Sequence, residues 1–163
     1  MPTPRYCAAD VAACIVNMAI SNGKPVSNLQ LQKILYFAQR DYIRGHNGNV
    51  LFPDSFEAWQ YGPVVPSVYR SYSIFGGSPI FKAAEYRDFN IFVGKREPIE
   101  KVDGIELDSV AETYRKWGFL PAWQLVESTH KPGGAWDSVY NRGGKSGSGY
   151  KNVIPVDAIR NDI

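Results

Sequence analysis

Residues 27–45 read SNLQLQKILYFAQRDYIRG and carry the strongest secondary-structure signal in the chain. Ser27 and Gln30, three positions apart, have the form of a capping box, in which each side chain bonds to the backbone N–H of the other residue. The apolar residues that follow at the helical intervals of three and four are Leu31, Ile34, Leu35, Ala38 and Tyr42. The pattern predicts a helix that ends at Gly45.

The polar side of this helix has the composition of a solvated face. Its members are Gln30, Lys33, Gln39, Arg40 and Arg44. Tyr36 and Phe37 extend Leu35 into a three-residue apolar run that wraps around the helix. We therefore expect the helix to be covered on more than one side, either by its own domain or by a partner.

Other segments with helical periodicity flank this helix. They are residues 7–21, 67–75, 108–117, 122–129 and 155–163. Residues 50–52 and 56–60 have the alternation of two short strands or of extended loop, and Gly62-Pro63 is expected to turn the chain.

Two segments lack a clear period. Residues 78–104 are predicted to form an irregular insertion with a short hairpin, and the Gly/Ser-rich tract 142–149 is predicted to be a flexible loop. The chain as a whole is therefore expected to be mainly α (α+β). It would be a compact single domain over residues 1–163, a bundle of about five to seven helices with a small β-hairpin or short strands inserted.

The composition restricts the classes of partner. A chain of 163 residues buries roughly two-thirds of the surface that its unfolded form exposes, so one core is expected. The net charge of +2 comes from 18 basic and 16 acidic residues without a concentrated basic run, which makes nucleic acid an unexpected partner. No signal peptide and no apolar stretch of about 20 residues is present, so we expect a cytoplasmic protein that does not span a membrane.

Few residues are available for catalysis. His46 and His130 are the only histidines, and neither has a second ligand at a spacing typical of zinc sites. Gly144-Lys145-Ser146 resembles the end of a phosphate-binding loop, but Val139 stands where that motif requires glycine. Ser128 and Thr129 precede His130, yet neighbouring residues on a helix point away from each other. We therefore expect no metal, no cofactor and no enzymatic activity.

Two blocks of sequence and a third, weaker one resemble the Panacea domain family, also called SocA-like antitoxins and, in prophages, phage-associated GepA-like proteins. The residues that carry the resemblance are Leu31, Lys33, Leu35, Tyr36, Phe37, Gln39, Trp59, Tyr61, Gly62, Pro63, Val64, Tyr69, Thr129, His130 and Trp136. The third block departs from the family pattern, because Gly134-Ala135 replaces the usual proline before Trp136. The resemblance covers residues 7–140.

The resemblance implies a mostly helical antitoxin, encoded beside a toxin gene, that neutralises the toxin by direct protein contact. One member of the family resembles a proteolytic adaptor that delivers its toxin to a Clp-type protease, which is a narrower role than blocking. The cognate protein toxin is thus the expected partner, and a homodimer remains open.

Aromatic residues make up 13% of the chain, which suits a surface that anchors a partner. The predicted partner-binding residues are Lys33, Tyr36, Gln39, Arg40, Trp59, Tyr61, Val64 and Tyr69. The alternative is that Trp59 and Tyr61 pack the turn onto the preceding helix and hold the fold together.

Two other classes of function are weighed beside the antitoxin. The first is a small hydrolase that uses His130 with a hydroxyl or carboxylate partner. The second is a nucleic-acid-binding phage or prophage regulator, for which Arg142, Lys145 and Lys151 would have to converge with the tyrosines.

Overall fold

The computed structural model describes residues 2–88, 92 and 94–163, and helix α2 (Asn28–Gly45) lies at its centre. The predicted capping box is confirmed, since the Gln30 backbone N–H donates to Ser27 Oγ at 3.2 Å and the Ser27 N–H donates to Gln30 Oε1 at 2.8 Å. The helix ends at Gly45, as its sequence predicted.

The described part of the chain holds six further α-helices around α2. They are α1 (Ala8–Ser21), α3 (Pro66–Ser71), α4 (Gly104–Trp117), α5 (Ala122–Thr129), α6 (Ala135–Tyr140) and α7 (Val156–Arg160), with 3₁₀ turns at Ser73–Phe75 and Arg142–Gly144. The mainly α fold class with a small β element is confirmed. Helix α6 was not predicted from the sequence, because six residues are too few to show a helical period. None of these helices is long and apolar enough to cross a lipid bilayer.

Helix α2 is buried around most of its circumference. The expectation of a solvated face is wrong for Lys33, Gln39 and Arg40, which are all buried, because helices and the β-hairpin pack on several sides of α2. Tyr36 and Phe37 are covered by the protein itself. The Phe37 ring stacks on Trp117 of α4 at 3.9 Å, and a single apolar cluster runs from Tyr6 to Ile159 around them.

Three short antiparallel strands pack against α2 in the order β2-β1-β3. They are β1 (Phe56–Trp59), β2 (Gly62–Val64) and β3 (Val153–Ile154). Trp59 pairs with Gly62, so the turn is made by Gln60 and Tyr61. The expectation that Gly62-Pro63 turns the chain is wrong, because proline has no N–H to donate and fits the edge strand β2 instead.

Residues 50–52 do not form a strand. Their backbone is paired by the side chain of Gln39, whose Oε1 accepts from the Leu51 N–H at 2.8 Å and whose Nε2 donates to the Phe52 carbonyl at 2.8 Å. The buried amide of Gln39 thus forms the hydrogen bonds that a neighbouring strand would otherwise form.

Residues 78–104 contain an antiparallel bridge between Tyr86 and Pro98. The tip of the expected hairpin, at 89–91 and 93, lies outside the described residues. Arg87 Nη2 and the Glu100 N–H both donate to the buried carboxylate of Asp10, at 2.8 and 2.7 Å, and so join this segment to α1.

The Gly/Ser tract 142–149 forms hydrogen-bonded turns against α6. The Gly149 N–H donates to the Tyr140 carbonyl at 2.9 Å, and the Gly147 N–H donates to Asn141 Oδ1 at 3.3 Å. The turns lead the chain back to β3.

Candidate functional site

Residues from three distant parts of the sequence meet beside the β-hairpin. Lys33 Nζ, in the middle of α2, donates a hydrogen bond to the Pro63 carbonyl at 3.0 Å. Gly62 has φ +114°, and a Cβ added there would stand 2.6 Å from Lys33 Cε and 2.8 Å from Thr129 Oγ1. Glycine is required both by the backbone conformation and by this close approach.

The end of α5 and the start of α6 also pack beside the β-hairpin. The imidazole of His130 stacks on the Trp136 ring with centroids 3.6 Å apart and planes within 3° of parallel. Trp136 Nε1 in turn donates to the Trp59 carbonyl at 2.7 Å. We call this cluster the motif junction; its members are Lys33, Gly62, Pro63, Thr129, His130 and Trp136.

The electrostatics of the motif junction follow from burial. Lys33 is fully buried and forms no ion pair with any described carboxylate, and this desolvation lowers the pKa of its amine to about 7. Burial also lowers the pKa of His130 to about 4, and the nearby charge of Lys33 contributes. His130 Nε2 has no hydrogen-bond partner among the described residues. The imidazole is therefore neutral at physiological pH.

The motif junction does not assemble a nucleophile. Thr129 Oγ1 donates to the Val126 carbonyl and Ser128 Oγ to the Gln124 carbonyl, both at 2.8 Å and both within α5. No hydrogen bond joins His130 to either hydroxyl in the described structure. The described residues also contain no group of three or more His, Cys, Asp or Glu side chains placed to hold a metal ion. The contacts of the motif junction join α2, the hairpin, α5 and α6.

A chain of amides connects α2 to the exit of the hairpin. The Val65 N–H donates to Gln32 Oε1 at 3.1 Å, and Gln32 Nε2 donates to Asn28 Oδ1 at 3.0 Å. Asn28 Nδ2 then donates to the Tyr69 carbonyl at 3.0 Å. These bonds fix β2 and α3 against α2 and so set the position of the Tyr69 ring.

An open groove of about 560 Å³ lies between the N-terminal end of α2 and the hairpin. Four aromatic side chains line it, and we call it the aromatic groove: Trp59, Tyr61, Tyr69 and Tyr150. Tyr61 is 59% exposed and Tyr69 38% exposed, and the Trp59 ring meets Tyr69 edge-on at 5.1 Å. The hydroxyls of the three tyrosines form no hydrogen bond with any described residue, so they are free to bond a ligand.

The structure divides the predicted partner-binding residues into two groups. Trp59, Tyr61 and Tyr69 line the aromatic groove with partly exposed side chains, and the others are buried, although Lys33 and Val64 also line the groove. The buried ones are Lys33, Tyr36, Gln39, Arg40 and Val64. Their contacts are internal: the Tyr36 hydroxyl donates to Asp162 Oδ2 at 2.6 Å, and the Arg40 guanidinium lies 4.7 Å from the Phe37 ring centroid.

Tyr150 is the groove residue that the sequence analysis missed. It stands nearly ninety positions after Tyr61, and only the pairing of β1 with β3 brings it close. The Lys151 N–H donates to the Ala58 carbonyl at 2.7 Å and holds this corner. Arg142 and Lys145, which a nucleic-acid regulator would need to converge with the tyrosines, are not among the residues that line the groove.

Comparison with known proteins gives two matches that cover most of the fold. The model of the family described as "Antitoxin SocA-like, Panacea domain" matches residues 31–137. Antitoxin SocA from Caulobacter vibrioides (strain NA1000 / CB15N) is 36% identical over 138 residues, which is 82% of this chain and 70% of that protein. No solved structure matches the chain.

Proposed function

Since the chain belongs to the antitoxin SocA-like, Panacea domain family, we propose that it is an antitoxin, a non-enzymatic protein that neutralises a cognate protein toxin by binding it directly. The match to Antitoxin SocA and the match over residues 31–137 support this function. The single structural observation that carries direct binding is the aromatic groove, whose large side chains stand partly exposed with free hydroxyls.

The groove has the properties of an anchoring surface. Tyrosine and tryptophan offer large contact areas with few rotatable bonds and are enriched among the residues that dominate binding energies. The backbone beneath them is held by the motif junction and by the amides of Asn28 and Gln32. A partner that docks here therefore orders little additional structure, and less free energy is spent on immobilising the site.

This division of labour explains why so many of the motif residues are buried. Lys33, Gly62 and Trp136 hold the hairpin in place, while Tyr61 at its turn and Tyr69 on α3 are exposed. In this proposal Tyr61 and Tyr69 supply the partner surface, while residues of α2, the hairpin and α6 supply the internal contacts.

The proposal is tested first in cells. The adjacent short reading frame, expressed alone, is expected to arrest growth, and co-expression of this protein is expected to restore it. The purified pair is then expected to form a complex measurable by calorimetry. A toxic neighbour that neither binds this protein nor is neutralised by it would contradict the proposed function.

The groove is tested with tyrosine variants. We expect Tyr61→Ala and Tyr69→Ala each to weaken toxin binding at least about tenfold. Tyr86→Ala is the matched control, because Tyr86 is a similarly exposed tyrosine that does not line the groove. A thermal melt of each variant separates lost binding from lost folding, and equal affinities in all three variants would place the toxin elsewhere.

The way in which binding neutralises the toxin is a separate step of the proposal. Blocking by occupancy leaves the half-life of the toxin unchanged or longer when this protein is present. Delivery to a Clp-type protease shortens that half-life, and the shortening disappears in cells that lack the protease. A chase experiment with labelled toxin distinguishes these two outcomes.

A further inference from the structure

The described lining of the aromatic groove contains no acidic side chain. The described residues that line it include no aspartate or glutamate, and the buried Lys33 is the one lysine or arginine among them. The lining includes residues 27–29 at the N-terminal end of α2 and Ala122 at the start of α5, and helix N-termini carry partial positive charge. Glu57 is not one of the lining residues, and its carboxylate accepts a hydrogen bond from Trp59 Nε1 at 3.0 Å.

Lys151 is an exposed lysine that is not itself a lining residue, but its ammonium stands beside two of the lining rings. Its Nζ lies 5.7 Å from the Trp59 ring centroid and 5.4 Å from that of Tyr150. No described carboxylate forms an ion pair with it. The ammonium is therefore available to an acidic group that enters between the rings.

Lys151 has a backbone conformation that is unfavourable for a residue with a side chain. Its φ is +66°, in the left-handed region where glycine is favoured. The Lys151 N–H donates to the Ala58 carbonyl of β1 at 2.7 Å, in the turn that precedes β3. Non-glycine residues in this conformation cluster at functional sites. The strain at Lys151 therefore points to a function of its side chain.

We infer that the toxin inserts a segment bearing an acidic side chain into the aromatic groove, where its carboxylate pairs with Lys151 above the rings of Trp59 and Tyr150. This inference rests on the proposed function and specifies the chemistry of the partner. An acidic peptide fits better than a nucleic acid, because one exposed cation can meet one carboxylate but cannot neutralise a row of phosphates.

The decisive variant is Lys151→Gly, which removes the charge and relieves the backbone strain at the same time. We expect it to bind the toxin about tenfold more weakly, although it melts no lower than the natural protein. Lys151→Glu is expected to weaken binding roughly a hundredfold by placing like charges together. Lys145→Ala is the matched control, since Lys145 is an exposed lysine of the preceding tract with φ −98°, away from the groove, and should bind as the natural protein does.

Salt and toxin variants test the same contact from both sides. The affinity of the natural protein is expected to fall more steeply with rising salt than that of Lys151→Gly. Neutralising each Asp and Glu of the toxin in turn should reveal one whose effect is not additive with Lys151→Gly.

Three results would overturn the inference while leaving the antitoxin function intact. The first is toxin binding by Lys151→Gly and Lys151→Glu with unchanged affinity. The second is a lower melting temperature for Lys151→Gly, which would make Lys151 a structural residue. The third is displacement of the toxin by a single-stranded 20-nucleotide DNA from the natural protein but not from Lys151→Glu, which would assign the groove to nucleic acid. A natural protein that does not bind the toxin at all would instead contradict the proposed function itself.

Discussion

The amine of Lys33 donates a hydrogen bond to the carbonyl oxygen of Pro63 from a position that no solvent reaches. Pro63 lies in the edge strand β2, so this carbonyl has no strand partner on its outer side. Lys33 spans the distance from the α2 backbone to that carbonyl with a flexible apolar stem and a terminal donor. A lysine that resembles a surface charge in sequence is thus an internal strut between helix and hairpin.

The low pKa of the buried Lys33 amine predicts that the stability of the protein rises with pH. The folded pKa of Lys33 is about 7 against an ordinary 10.5, so the unfolded state binds more protons between these values and stability rises as pH increases. The slope is at most about 1.4 kcal/mol per pH unit. The useful window is pH 7 to 9, because burial raises the pKa of Cys7 and Cys14 from 9.0 to about 11 and their effect opposes the rise above pH 9.

Urea unfolding at pH 7, 8 and 9 measures this slope. Lys33→Met keeps much of the stem but cannot titrate, so its stability should be nearly flat over the window. Lys24→Met, which changes an exposed lysine, should retain the natural slope. A Lys33→Met protein that still gains stability from pH 7 to 9 would assign the effect to another group.

Local signals were sufficient for α2 and α5. The capping box at Ser27 and the stop at Gly45 mark α2, and α5 has the predicted bounds of residues 122–129. Each of these signals lies within a few residues of the element that it defines. Helix α6 and the place of the hairpin turn could not be predicted in this way, because the first is only six residues long and the second depends on strand register.

The burial of Lys33 and Gln39 could not be predicted, because the backbone groups that they bond are far away in the sequence. Lys33 and Gln39 have the spacing of a solvated helix face, and only the positions of Pro63 and of residues 51–52 show what they bond. The composition of the aromatic groove also depends on a contact between residues far apart in the sequence. Trp59, Tyr61 and Tyr69 adjoin in sequence and could be grouped, whereas Tyr150 reaches them through the pairing of β3 with β1.

Gly62 is predicted to be intolerant of any side chain. Gly62→Ala must place a methyl group against Lys33 Cε and Thr129 Oγ1 while the backbone stays at φ +114°, so we expect a loss of roughly 2 to 4 kcal/mol of stability. Gly23→Ala isolates the conformational part, since Gly23 has φ +70° with no atom within 4 Å of an added Cβ, and should lose about 1 kcal/mol. Chemical denaturation compares the two, and equal losses would show that the close approach is unimportant.

Gln39 is predicted to hold residues 51–52 through both ends of its amide. Gln39→Met has a similar volume but leaves the Leu51 N–H and the Phe52 carbonyl unpaired inside the protein, which is expected to cost roughly 2 to 4 kcal/mol. Gln30→Met is a control at the partly exposed start of α2 and should lose less. Amide hydrogen exchange gives the specific readout, because protection of the Leu51 N–H should fall in Gln39→Met alone. Retained protection would mean that another group bonds this segment.

The low pKa of His130 predicts that the protein loses stability as the pH falls below about 6.5. Burial lowers its folded pKa to about 4 from an ordinary 6.5, so between these values the unfolded state takes up a proton that the folded state refuses, and stability falls as pH drops. The ring is only half buried, and solvent screening reduces the expected loss to about 1 kcal/mol. His130→Phe keeps the stack on Trp136 without a titrating group and should flatten the change between pH 6.5 and 4.5. His46→Phe is the control, because His46 also stacks on an aromatic ring, that of Tyr42 at 3.9 Å, and should leave the acid-side loss in place. If instead His46→Phe flattens the profile and His130→Phe does not, the acid sensitivity belongs to the end of α2 and not to the motif junction.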